Sequence, residues 1–213
     1  MKKNITKDTT PRIKAVAFDF DGTLCDSIPA VHCAIRHILR EAKIFEYPLT
    51  HYYRHSNQRI LPYLRLCGVE LSDARIFELY REEMHGVYAS LFPETRMALE
   101  ELQNRDIKLG LISANFADEV TRRLEAEHIQ DYFDLIECRI EQKRNALKRF
   151  AHNFNFKRKE ILFVGDMKSD IIEGRYAGVQ TVGFISPHDP KKSILQAKPD
   201  FSIEKLTDLL DLL

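Results

Sequence analysis

The sequence predicts an α/β fold: a Rossmann-like doubly wound parallel sheet with a helical segment inserted after the first strand. Three observations carry that prediction. Short apolar runs recur along the chain. From the second run onward they take turns with amphipathic helical stretches. Between the first and second runs lies a long stretch with no convincing strand. Near-continuous apolar runs are how buried parallel strands read, and strand alternating with helix marks a doubly wound sheet.

The expected strands are IKAVAFDF (13–20), IKLGLISA (107–114), DLIE (134–137), EILFVGD (160–166) and QTVGFI (180–185), with FSI (201–203) a weaker sixth. TRMALEELQNR is the expected helix before the second strand. DEVTRRLEAEH, RNALKRFAHNF, SDIIEGRYAG and EKLTDLLDLL follow in turn, and Gly178 suits a helix end. In the insert, SIPAVHCAIRHILREAKI places apolar residues at 28, 31, 34, 35, 38, 39 and 42, the spacing of an amphipathic helix. RIFELYREEMHGVYASL repeats the pattern with Phe77, Tyr80, Met84, Val87, Tyr88 and Leu91. The expected organisation is an α/β core of residues 1–26 and 93–213, in which 1–11 form a loose polar tail, and a helical cap domain over 27–92.

The 213 residues are 44% hydrophobic, which is ample for a core and too much for a disordered chain. Lys plus Arg equals Asp plus Glu at 32 each, a balance that argues against a nucleic-acid or membrane binder. No apolar run is long enough to span a bilayer, and the polar start MKKNITKDTTPR lacks the apolar core of a signal peptide. Cys25, Cys33, Cys67 and Cys138 are scattered, without a CxxC pair. Reduced thiols in a cytoplasm are therefore expected rather than zinc or disulfides.

Ligands of open α/β sheets bind beyond the carboxyl ends of the strands, so the residues there decide the chemistry. Strand one ends in Asp19-Phe20-Asp21-Gly22-Thr23 and strand two in Ser113-Ala114-Asn115. Lys143 lies beyond strand three. Gly165-Asp166 ends strand four, with Asp170 one helical turn on. Four carboxylates beside one lysine call for a hard divalent cation, and magnesium takes oxygen ligands together with substrate phosphate. A magnesium held by Asp19 and Asp166, facing a phosphate contacted by Ser113 and Lys143, balances the charges. One aspartate can then attack phosphorus, and the other, two residues away, can move protons. Gly22 allows the tight turn that this requires.

In these motifs the chain resembles the haloacid dehalogenase-like hydrolase superfamily, in the subgroup with a helical cap, whose best-known members are phosphoglycolate phosphatases. The resemblance runs from about Ile13 to Leu213. It implies that Asp19 is the nucleophile and Asp21 the general acid/base. The hydroxyl of Ser113 in LISAN would bind phosphate, alongside Ala114 and Asn115. It further implies that Asp166 is a metal ligand supported by Asp170, and that Asp21 contributes its backbone carbonyl to magnesium. The third motif reads EQKRNAL where relatives have Lys-Pro, so Lys143 and Lys148 both stand as its phosphate-binding lysine. A magnesium-dependent phosphatase acting on a small phosphorylated metabolite is the function implied. Asp21 argues against a dehalogenase, and SANFADE lacks a phosphomutase's serine-rich stretch. A phosphonate hydrolase would need a cap lysine, for which Lys43 is the sole candidate. A non-catalytic binder on this fold has against it that every reactive position is intact. Val31 to Gly68 holds six Lys/Arg against two acids. His32, Arg36, Arg40 and Lys43 read as the wet face of the first cap helix. Arg54 and Arg59, in YRHSNQR, are the candidate contacts to the substrate's far end.

Overall fold

The structure is a computed structural model that describes residues 12–46, 60–86, 89–189 and 192–213. The expected tail (1–11) and the 53–59 loop with Arg54 and Arg59 lie outside the described residues, as do Val87 and Tyr88.

Six parallel strands form one sheet in the order β3-β2-β1-β4-β5-β6. They are β1 (Ala15–Phe18), β2 (Lys108–Ile112), β3 (Leu135–Glu137), β4 (Ile161–Gly165), β5 (Gln180–Phe184) and β6 (Phe201–Ile203). Each falls within an apolar run that predicts it. Strand β1 lies between β2 and β4, with Phe18 opposite both Leu111 and Val164. The chain winds outward in opposite directions from β1, which makes its carboxyl end the switch point where such sheets bind ligands.

Alternation along the strands feeds two cores. Val16, Phe18, Leu109, Leu111, Leu162 and Val164 face one side, against α4 (Thr95–Asn104) and α5 (Ala117–Ala126). Ala15, Ala17, Ile161 and Phe163 face the other, against Ala146, Leu147 and Phe150 of α6 (Lys143–Asn153), with α7 (Lys168–Ala177) beside it. All four residues of β1 are buried because both faces are covered.

Among the described residues, the stretch after β1 carries three helices: α1 (Ile28–Glu41), α2 (Ile60–Leu66) and α3 (Asp73–Gly86). Pro29 is tolerated in the first turn of α1, where an amide has no intrahelical partner. Ile28, Val31, Ile35, Ile38 and Leu39 of α1 meet Tyr63 and Leu64 of α2 and Ile76, Leu79 and Met84 of α3 in a third cluster, which Met167 joins from the sheet side. Arg36, Arg40 and Lys43 are exposed, as a wet face requires. His32 corrects the expectation. It adjoins Val31 at the edge of the apolar stripe and is buried. That burial, with His188 and Arg36 nearby, pushes its imidazole down to about 4 and keeps it neutral.

The chain enters and leaves the insert side by side. Asp26 N–H donates to Ser90 O (2.8 Å) and Phe92 N–H to Leu24 O (3.0 Å). The Cys25 thiol donates to Ala89 O (3.2 Å), and burial next to Asp21 pushes it up to about 12, so it is no nucleophile. All four cysteines are free. At the other end of the chain, the expected last helix winds as a 3₁₀ helix over Leu206–Leu212 rather than as α. Leu206 and Leu209 are buried three positions apart, the 3₁₀ repeat, and Leu210 and Leu212 pack against the same core. No helix among the described residues is long and apolar enough to cross a membrane.

Candidate active site

Asp19 is the first residue past β1, and its N–H still bonds Val164 O of β4 at 2.9 Å. Its Oδ1 accepts from Phe20 N–H (2.8 Å) and from the Lys143 ammonium (2.8 Å). Lys143 opens α6 and also reaches Asp170 Oδ1 at 2.8 Å. The other oxygen of Asp170 accepts the Met167 N–H (3.1 Å), so this carboxylate both caps α7 and fixes Lys143. All three side chains are almost fully buried. Burial by itself would lower the Lys143 ammonium, but Asp170 and Asp19 outweigh it and hold its pKa above the ordinary lysine value.

Asp166 follows the last residue of β4 and is 3% exposed. Thr23 Oγ1 donates weakly to its Oδ1 (3.4 Å), while its Oδ2 is buried without a partner among the described residues. Oxygens of Asp19, Asp166 and Asp170 lie within 4.8 Å of one another. Desolvation, with Asp19 and Asp170 close by, raises the Asp166 carboxyl well above its ordinary range. Burial also pushes Asp19 up to about 7; Lys143 opposes that rise, and Asp170 and Asp21 add to it. One ammonium against three carboxylates leaves excess negative charge in a dry place, and an unpartnered buried carboxylate oxygen is costly. A hard divalent cation fits that gap. Both oxygens of Asp170 already have partners, whereas Asp166 Oδ2 has none among the described residues.

Two glycines make room for this packing. Gly22 has φ +79°, and a Cβ there would stand 2.5 Å from Asp166 Oδ2; at Gly165 it would stand 2.4 Å from Asp170. Gly22→Ala is therefore expected to destabilise the protein by about 2 kcal/mol through backbone strain and overpacking, and to displace Asp166. Thermal denaturation with and without magnesium measures both effects; unchanged midpoints in both conditions would refute the account.

Asp21 has partners of its own. Its Oδ1 accepts from Arg123 Nη1 (3.0 Å) and its Oδ2 from Asn115 Nδ2 (2.8 Å). Asn115 is held in turn by the turn it sits in: its N–H bonds Ser113 Oγ (3.1 Å), and its Oδ1 accepts Phe116 N–H (2.8 Å). Asp19, Asp21, Ser113, Ala114, Asn115, Lys143 and Asp166 all line one cavity of about 110 Å³, closed over by Ile28, Val31, Ile60, Phe77 and Tyr80 of the insert. Lys148 is exposed on α6 and stands away from this cavity. Asp26, from the same acidic run as Asp19, pairs with His188 Nε2 (2.6 Å) instead.

Arg123 escaped the sequence reading. It lies on the buried face of α5 with Glu119, Val120 and Leu124 and is 3% exposed. A charged residue on an apolar helical stripe was the available signal. The same helix meets the insert one turn earlier, through Arg81–Asp118 (2.5 Å) and His85–Glu119 (2.6 Å).

A buried aspartate at the switch point, a lysine bridging it to a helix cap, and a second aspartate two residues on define a hydrolase of the haloacid dehalogenase-like kind. The chain belongs to that family: residues 16–184 match the haloacid dehalogenase-like hydrolases. It is 28% identical to a phosphoglycolate phosphatase of Vibrio vulnificus (strain CMCP6), over 95% of this chain and 97% of that one. It is 24% identical to the pyrophosphatase PpaX of Bacillus pumilus (strain SAFR-032), over 93% and 95%. A haloacid dehalogenase-like family hydrolase from Streptococcus pneumoniae shares the fold, with TM-score 0.79 at 22% identity over 94% of this chain and 98% of the other.

Proposed function

We propose that this chain is a magnesium-dependent phosphatase that hydrolyses the phosphomonoester of a small metabolite through an aspartyl-phosphate on Asp19. The observation that carries the reading is the buried Asp19–Lys143–Asp170 chain beside the unpartnered Asp166 Oδ2, all opening on one small cavity. Asp19 and Asp166, with the backbone carbonyl of Asp21, would hold magnesium. When bound, magnesium offsets the negative charge that the phosphate brings against these carboxylates.

Asp19 attacks phosphorus as the bond to the leaving oxygen breaks, and Asp21 gives that oxygen its proton. The ionised Asp21 then takes a proton from water attacking the same phosphorus, which releases inorganic phosphate and restores Asp19. Lys143 and the Ser113-Ala114-Asn115 turn bind the phosphate oxygens, and Arg123 holds Asp21 in place. The 27–92 insert acts as a lid that excludes water from the reaction. The relatives' names denote phosphoglycolate and pyrophosphate. Both are small and carry a second acidic group, as suits a cavity of about 110 Å³. The four free thiols fit a cytoplasmic protein.

Phosphate release from p-nitrophenyl phosphate, 2-phosphoglycolate and pyrophosphate, with magnesium and with excess EDTA, tests this reading. Undiminished release in EDTA would sink the metal dependence, and no release from any ester would sink the activity.

A pH effect accompanies the metal. Without magnesium, the folded protein keeps protons on Asp19 and Asp166 that the unfolded chain gives up near pH 4. Their contribution to stability is complete below pH 4; that of Asp19 is lost as pH rises through about 7, and that of Asp166 as pH rises through its own raised pKa. Magnesium takes the place of those protons. It should therefore raise the denaturation midpoint more at pH 8 than at pH 5.5; equal shifts at both values would contradict the metal assignment.

A further inference from the structure

A second, larger cavity of about 830 Å³ adjoins the first and shares Ile60, Phe77, Ala114 and Lys143 with it. On the phosphatase reading, these shared walls give a substrate whose phosphate sits at Asp19 a way into the second cavity. The cations lining the second cavity are Arg65, Arg139, Lys143 and Arg144. Arg65 pairs with Asp73, Lys143 with Asp19 and Asp170, and Arg144 with Glu173. Arg139 has no carboxylate partner among the described residues.

The backbone of Arg139 is nonetheless fixed in place. Its N–H donates to Asn115 O (2.8 Å), and the next amide, Ile140 N–H, donates to Ser113 O (3.0 Å). The loop that carries it is thereby bound to the turn that faces the phosphate. Its backbone is left-handed at φ +56°, which is uncommon for a residue other than glycine. Its guanidinium lies 5.5 Å from the centre of the Phe116 ring, and Phe77 meets that ring edge-on at 5.8 Å. Arg81 lies over the same ring at 4.4 Å, and Arg139 is exposed, so its planar N–H fork is open to a carboxylate or phosphate.

We infer that Arg139 is a specificity-determining residue that binds a second anionic group of the substrate, the carboxylate of a short phosphate ester or the distal phosphate of a phosphoanhydride. The inference rests on the phosphatase reading and places the selective contact on the sheet side of the cleft, whereas the sequence pointed to Arg54 and Arg59 on the insert.

The test is steady-state kinetics of the full chain with magnesium, for wild type, Arg139→Gln and Arg139→Lys. The substrates are 2-phosphoglycolate, pyrophosphate and p-nitrophenyl phosphate, the last having no second anion. Arg139→Gln is expected to lower kcat/KM for at least one bis-anionic substrate about tenfold more than for p-nitrophenyl phosphate, mainly through KM. Arg139→Lys should recover part of that difference, since it restores charge without the fork. Equal losses on all three substrates would mark a structural role and overturn the inference, as would no loss on any. Wild-type turnover of p-nitrophenyl phosphate with none of either bis-anion would overturn this inference alone. No turnover of any of the three would overturn the phosphatase reading and this inference with it.

Discussion

Asp19→Asn should lower phosphate release by about 10⁴-fold or more and leave a folded protein whose metal-free denaturation midpoint at pH 8 is raised. The amide keeps the shape of the carboxylate but is a very poor nucleophile, and it removes one of three crowded buried charges. Loss of activity by unfolding would lower the midpoint, so the two readouts separate chemistry from structure. Asp21→Asn should also be severely impaired, for want of a proton at the leaving oxygen. Rapid acid quench of wild type with a labelled phosphoryl group, followed by peptide mapping, should find the label on Asp19. Label on another residue, or none although the quench outruns turnover, would falsify the covalent assignment.

Lys143→Met should be damaging in both respects. Removing one partner of a buried ion pair leaves charge uncompensated and destabilises by about 3 kcal/mol or more. Here the two carboxylates Asp19 and Asp170 would both lose their cation. The loss should be smaller at pH 5.5, where the stranded Asp19 can take up a proton, and activity should fall about 10³-fold. Lys148→Met, at an exposed position on the same helix, should leave stability within about 0.5 kcal/mol. Urea denaturation of the two variants at two pH values decides between the lysines. Equal stability of the two variants would give Lys143 no special place.

The sheet was legible because buried parallel strands are written as apolar runs, and the rim residues follow from where those runs stop. Asp19, Ser113 and Asp166 each stand one residue past a strand, so sequence order alone brought them together. Less legible was which cation serves which carboxylate. Asp19 and Asp21 are two apart in sequence yet have separate partners, Lys143 and Arg123, supplied by α6 and α5. Arg123 comes 102 residues after Asp21, and no local pattern encodes that meeting. Helix α2 went unread because seven residues are too few to establish a period. His32 shows a similar limit: at the edge of a stripe, one residue of rotation decides between water and core.

The paired strands at the base of the insert bear on the chain as a polymer. The Asp26 amide and the Ser90 carbonyl are in hydrogen-bond contact, so the intervening residues leave and return at nearly the same point. Closing a long loop is an entropic expense that grows only slowly with length, and ends held together by hydrogen bonds close this one as a tight turn would. Excising residues 27–89 and joining the two ends by a short hairpin turn would keep the strand order but strip Met167, Phe116, Asp118 and Glu119 of their partners on the insert. That junction joins a core that carries the rim chemistry and Arg139 to an insert that supplies Ile28, Val31, Ile60, Phe77 and Tyr80 to the cavity wall.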